Sequence, residues 1–258
     1  MNTDAARADL LRSLHIPGDP LIVTNVWDAA SARAVAAAAG VQALATASHS
    51  ISEARGVHDG EGLTIDEALD AAAVIVGSVD LPVSVDFERG YARDAAGVEA
   101  NVRRLAEAGA AGLNFEDSLD GSTMRPLAEQ VERVSAVRAG ADAAGVPLVI
   151  NARVDALRRG ETIDDAIGRA NAYLAAGADA AFVLGLDTAE LVARAVAEVD
   201  GPVSVIASAG SLPLAQLAEL GVARVSFGPG PQALTLHHLT AAAEVLTARG
   251  EYPAELKF

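Results

Sequence analysis

The chain has 258 residues, 51% hydrophobic and 21% charged, with a net charge of −16; it can bury a substantial core and shows no basic footprint for a nucleic acid. It has no cysteine, which excludes disulfides, thiolate metal ligands and cysteine nucleophiles, and its only lysine, Lys257 beside the C-terminus, leaves no internal residue for a Schiff base. No apolar run reaches the ~18 residues of a membrane span, and the opening MNTDAARADLLRSLHIPGDP reads as a polar helix, not a signal peptide, so a cytoplasmic protein with no membrane partner is expected.

In chain order, the first predicted strand, 21–25, runs into Trp27 and Asp28 ahead of the helical AASARAVAAAAG. Asp28 is equally a good N-cap for that helix. The second strand, 42–47, ends in ATASHS and continues to GVHDGEGLT, so Thr46, Ser48 and His49 offer hydroxyl and imidazole groups. Ser48 could as easily cap a helix. His58 and Asp59 lie in a glycine-bracketed loop that either reaches over the strand ends or is simply exposed.

The third strand, 83–87, sits in SVDFERGYA and finishes in Asp86 and Glu88; the fourth, 112–116, finishes in Glu116 and Asp117. Neighbouring strands lie ~4.8 Å apart, so these carboxylates converge, and strand alternation sends Asp86 and Glu88 to one side with Phe87 on the other. Like charges that close are costly unless neutralised. A divalent cation would do so, since Mg2+ takes one or two carboxylates plus waters; the alternative is pairing with Arg89 and Arg153. The fifth strand, 148–152, is followed by Arg153 at the same rim. Its planar fork suits a substrate carboxylate or phosphoryl group, or else a salt bridge to Asp155 or a rim acid. Strands at 180–184, 203–207 and 223–227 complete the series, with SerAlaGlySer (208–211) and GlyProGly (228–230) after the last two.

Each strand is followed by a helical segment, giving eight units. The joints share one grammar: a helix ends, a glycine (40, 109, 177, 221) takes the left-handed position, and a strand begins. VDLPVSV at 79–85 and VDGPVSV at 199–205 are near copies, half a ring apart. An open doubly wound sheet would carry a glycine-rich loop after an early strand, and NVWDAAS has none. The predicted fold is α/β, a (β/α)8 TIM barrel forming one domain over residues 1–258, whose active site sits at the C-terminal strand ends.

These blocks, in this order and spacing, resemble the isocitrate lyase / phosphoenolpyruvate mutase superfamily over nearly the whole chain. VDFERGYA is similar to the family's D-x-D-x-G-Y-G block, NFEDS to its L-E-D block and NARVDA to its A-R-x-D block. The resemblance implies a Mg2+-dependent barrel, with Mn2+ as a substitute, acting on small α-keto or α-hydroxy acids through an enolate held on the metal. It also implies a homo-oligomer, commonly a tetramer built as a dimer of dimers, with the last helix exchanged between paired subunits. By position it makes Asp86, Glu88 and Glu116 the metal-site acids and Arg153 the substrate-anion arginine. Thr46, Ala47 and Ser48, with Trp27 and Asp86, become substrate-binding, and Asp59, with neighbouring His58, an acid–base group near the metal waters.

The departures matter as well. Glu88 stands where the family usually has Asp, and Ala92 where it has Gly. The Lys-Lys-Cys-Gly-His segment of the lyase branch is missing, and SLDGSTMRPLAEQ (118–130) lacks the Lys-Thr-Asn gate of the mutase branch. What survives fits decarboxylation or retro-aldol-like cleavage of a small 2-keto or 2-hydroxy acid. The alternatives are phosphoenolpyruvate- or phosphonopyruvate-type chemistry, a non-catalytic keto-acid-binding relative, and a phosphate-binding barrel using the 208–211 and 228–230 loops.

Overall fold

A computed structural model describes residues 3–120 and 123–256; Lys257, and residues 121–122 of the 118–130 segment, lie outside them. The elements run α1 (Thr3–Ser13), β1 (Leu21–Val23), β2 (Asn25–Val26), α2 (Ala29–Ala36), β3 (Leu44–Thr46), α3 (Ser48–Ala54), α4 (Ile65–Val76), β4 (Val83–Asp86), α5 (Ala95–Glu107), β5 (Gly112–Glu116), α6 (Leu127–Ala143) and β6 (Val149–Val154). A 3-10 turn, η1 (Leu157–Arg159), precedes α7 (Ile163–Ala175), β7 (Ala180–Val183), α8 (Ala189–Glu198), β8 (Val203–Ile206), α9 (Leu214–Glu219), β9 (Arg224–Ser226) and α10 (Gly230–Thr247).

Every strand pairing is parallel, in the order β1-β9-β8-β7-β6-β5-β4-β3-β2. The predicted first strand bends at Thr24 into two halves. β1 pairs with β9 and β2 with β3, so the ring closes through that one bent strand and the (β/α)8 barrel stands. β6 runs past its predicted end at 152, because Arg153 is in register with Glu116 on one side and Phe182 on the other. The four repeat glycines at 40, 109, 177 and 221 have φ of 85°, 90°, 110° and 91°, the left-handed region that the joint grammar demanded.

Alternation along the strands sorts the side chains. Val83 and Val85 of β4 join the main core between the ring and its helices, with Leu105, Leu113, Val137 and Ile150. Ser84 faces the barrel axis. There the filling is polar, where bulky branched side chains are usual. Fully buried Arg224 donates from Nη1 and Nη2 to Ser84 Oγ, each at 3.2 Å, and Asn151 Nδ2 donates to Asn114 Oδ1 at 2.8 Å. Leu11 of α1, with Leu21, Val23, Ala43, Ala45, Ala111 and Val149, forms a small second apolar cluster toward the strands' N-terminal ends. At the chain's other end α10 exposes Leu234 (60%) and Leu239 (63%). Among the described residues no helix is long and apolar enough to cross a membrane.

Candidate active site

The acids foreseen at the ends of β4 and β5 meet at the barrel mouth. Asp86 ends β4. Buried Thr46, one strand away, accepts its N–H at Oγ1 (2.8 Å), and Asp86 Oδ2 accepts from Ser48 N (3.0 Å) and Ser48 Oγ (2.9 Å). Ser48 therefore holds Asp86 and caps nothing; α3 begins behind Ala47 without a side-chain cap. Asp86 Oδ1 makes no hydrogen bond among the described residues.

Glu88 lies two residues on, at φ 46°, a left-handed conformation that a β-carbon makes costly. The surroundings enforce it. Glu88 Oε2 accepts from Glu61 N at 2.5 Å and Oε1 accepts from Tyr91 Oη at 2.6 Å. Glu61 (φ 63°) clips the 55–64 loop to the end of β4: its Oε1 accepts from Tyr91 N, and Arg89 pairs with its Oε2 at 3.4 Å. Burial pushes the Glu88 carboxyl up to about 8, and the nearby charges of Asp86 and Asp59 add to it, against the pull of the two donors. Burial and the neighbouring Glu88 also raise the Tyr91 phenol, so Tyr91 is held protonated as a donor.

Glu116, buried at the end of β5, pairs with Arg153 Nη1 at 2.7 Å and accepts from Ser118 Oγ at 2.8 Å. Its carboxyl is raised by burial, with Arg153 opposing. Arg153 also donates from Nε to Asp155 Oδ1 at 3.0 Å. Burial works against its charge, but Glu116, Asp155 and Asp86 more than offset this. Arg153 is thus both a rim fork and a salt-bridge partner, and its Nη2 makes no hydrogen bond among the described residues. Behind it, Asp155 N donates to Asp117 Oδ1 (3.0 Å) and Tyr173 Oη to Asp117 Oδ2 (2.8 Å). Asp117 is pushed up to about 6 by its burial.

Two cavities open at this mouth and share Ser48, Asp59 and Arg153. The outer one, about 420 Å³, lies against Glu88, Arg89 and Glu116. The inner one, about 210 Å³, lies against Ala47, Asp86, Asn114 and Asn25. Asp59 is brought to both, and its Oδ2 stands 3.6 Å from His49 Nδ1. His58 is exposed and lines neither cavity; His49 occupies the place expected for it. Trp27 packs against the core away from both cavities, and Asp28 caps α2 through a reciprocal box with Ser31. Thr46 acts through Asp86 and not on the cavity itself. Sequence reasoning missed Asn25, Asn114, Arg158 and Glu61. A polar residue at the centre of a buried apolar run, as in GLNFE, was the available signal for Asn114.

As to a metal, no group of three or more His, Asp or Glu among the described residues is arranged to hold an ion alone. Neither Asp86 nor Glu88 is ion-paired to an arginine among the described residues; Arg89 is taken by Glu61. The donor set therefore fits a hard cation bound through few direct carboxylate oxygens and several waters. A separate groove of about 670 Å³ lies along the 208–211 loop and α10. Its lining is mainly apolar, with Leu212, Leu214, Phe227 and Leu234 and no basic residue, unlike a phosphate cradle.

The sequence profile of the phosphoenolpyruvate phosphomutase family matches residues 11–247. A crystal structure of a candidate phosphonomutase from Burkholderia cenocepacia J2315 superposes with a TM-score of 0.90 at 39% identity, covering 96% of this chain and 100% of that one. The 2-methylisocitrate lyase of Escherichia coli K12 is 32% identical over 85% of this chain and 79% of its own length. The oxaloacetate decarboxylase of Rhodopseudomonas palustris BisA53 is 40% identical over 49% of this chain and 45% of its own.

Proposed function

The chain belongs to the phosphoenolpyruvate phosphomutase family, an enzyme among lyases and phosphonomutases, and from that premise we propose a cytoplasmic Mg2+-dependent lyase that cleaves a carbon–carbon bond of a small 2-keto or 2-hydroxy acid. One observation carries the reading. Asp86, Glu88 and Glu116 gather at one rim with a single paired arginine, and the Glu88 carboxyl at about 8 marks where positive charge is wanting. A Mg2+ or Mn2+ ion held by these three acids, partly through water, would supply the electron sink for the enolate left by bond cleavage.

The chain's own residues do the rest. Arg153 takes the acid's carboxylate with its remaining donor, and the Ala47–Ser48 backbone lines the opposite wall. Asp59, with His49 beside it, orients the water that returns a proton to carbon. Similarity to an oxaloacetate decarboxylase favours decarboxylation, and the 118–124 segment favours a lyase over a phosphoryl or C–P mutase. The 118–130 stretch lacks the Lys-Thr-Asn gate of the mutase branch, and Ser118, Leu119 and Asp120 instead line the outer cavity. The exposed leucines of α10 support association of subunits through that helix.

The test is a metal titration of the chelator-treated protein, then a screen of keto and hydroxy acids with Mg2+ and Mn2+ read as pyruvate release. One site per chain is expected, and Asp86→Ala should abolish it. Oxalate binding without any turnover would replace the lyase with a keto-acid-binding protein. Unchanged metal affinity in Asp86→Ala would put the metal elsewhere.

A further inference from the structure

Arg158 is a cation of the inner cavity that no acid neutralises among the described residues. It lines that cavity together with Arg153. Arg153 has Glu116 and Asp155 as partners, whereas the Arg158 side chain makes no ion pair or hydrogen bond among the described residues. Its position is nonetheless fixed by the backbone. η1 follows β6 directly, Arg159 N bonds the carbonyls of Asp155 (3.1 Å) and Ala156 (3.0 Å), and Gly160 ends the turn in the left-handed region at φ 81°. From the other side, Gly185 after β7 sits at φ 92°, and a Cβ there would stand 2.9 Å from Leu157 Cβ. The missing side chain at Gly185 is what lets the turn lie against the end of β7 and present Arg158 to the mouth.

Phe182, Leu184 and Ile206 give the same cavity an apolar wall, while Ser48, Asp59, Asp86 and Arg153 make its polar side. The cavity thus offers an anion site at Arg153, a short apolar span and a second anion site at Arg158. We propose that Arg158 is a specificity-determining residue that receives the distal carboxylate of a four- or five-carbon 2-keto or 2-hydroxy diacid. The proposal rests on the function above only in placing the 2-keto or 2-hydroxy end between Asp86 and Arg153. Because Arg158 is exposed, solvent screens its contact, and the preference for a diacid over its monoacid counterpart should be ~10-fold, not the larger value of a buried pair.

The experiment is titration calorimetry of the Mg2+-loaded protein with malate, with 2-hydroxybutyrate (the same chain without the distal carboxylate) and with oxalate. The parent should prefer malate over 2-hydroxybutyrate. Arg158→Met should remove that preference while leaving 2-hydroxybutyrate and oxalate unchanged, and Arg158→Lys should restore part of it. A parent without the preference overturns the proposal. So does an Arg158→Met variant that keeps it, or one that loses oxalate and 2-hydroxybutyrate along with malate. Absence of turnover by the parent defeats the lyase reading alone, because the malate preference is a binding measurement.

Discussion

Replacing Glu88 by Gln should make the metal-free protein more stable at alkaline pH. Gln can still accept from Glu61 N–H through Oε1, while its Nε2 donates to Tyr91 Oη, which then turns from donor to acceptor. The shape and both contacts survive and the charge does not. The parent carboxyl stands at about 8 against an ordinary 4.5. Its folded state therefore keeps a proton that the unfolded chain releases, and stability falls as pH rises between those values. At ~1.4 kcal/mol per pH unit, the full window amounts to about 5 kcal/mol, of which about 2 kcal/mol are lost between pH 6 and 7.5. Other groups titrate in the same range, Asp117 at about 6 and His15 lowered to about 4 by burial. The difference between parent and Glu88→Gln in denaturant unfolding is thus the quantity to plot. It should grow from near zero at about pH 4, below the ordinary carboxyl value, toward the alkaline end, with Gln the more stable. Bound Mg2+ should reverse the order, because the cation favours the carboxylate. At pH 7, calorimetry in buffers of different ionisation enthalpy should then detect ~0.9 proton released per Mg2+ from this group. A Glu88→Gln variant destabilised equally at pH 5.5 and 8, or metal binding without proton release, would refute the reasoning.

Arg153→Lys keeps the charge but loses the fork, so Mg2+-dependent oxalate binding should weaken ~10- to 100-fold by calorimetry; unchanged affinity would make Arg153 purely structural. Asp59→Asn should lower turnover of an oxaloacetate-like acid ~100-fold while oxalate binding stays largely intact, since the loss is of acid–base help; equal turnover would remove Asp59 from the chemistry. Leu239→Glu, on the exposed face of α10, should dissociate the oligomer in sedimentation analysis without unfolding the barrel. A parent that sediments as a monomer would end the subunit-exchange reading.

The barrel was legible because its signals are local and repeated. Four helix-ending glycines and two near-identical strand entries, one into Ser84 and one into Ser204, report the same geometry many times over. The break of the first strand at Thr24 was not legible. It arises where one strand must satisfy neighbours on both sides, β9 below and β3 above, as the ring closes. Closure is a property of the ring, and no window of sequence around residues 21–26 contains it. The same limit explains His58 and His49. Both stand near Asp59 in the chain or across a loop, but only the turn of α3 decides that His49 faces Asp59 while His58 points to solvent.

The three acids show most clearly what spacing alone conceals. In the sequence, Asp86, Glu88 and Glu116 are equivalent carboxylates at strand ends. In the fold each meets a different environment. Glu116 has Arg153 as a direct counter-ion. Asp86 has an amide and a hydroxyl donor, both from Ser48, gives its own N–H to Thr46 Oγ1, and lies within the field of Arg224, a fully buried guanidinium paired among the described residues with neutral oxygens on the barrel axis. Burial brings Arg224 down to about 10, and Asp86 is the acid whose charge opposes that fall. Glu88 has neither, only a phenol and one backbone N–H, and burial raises its carboxyl to about 8, whereas at Glu116 the rise from burial is opposed by Arg153. Environments that push like groups apart are how one rim assigns them different tasks. The positive charge that Glu88 lacks is one that a divalent ion would bring, and the uncharged state in its absence lets the metal-free barrel tolerate three carboxylates at one mouth.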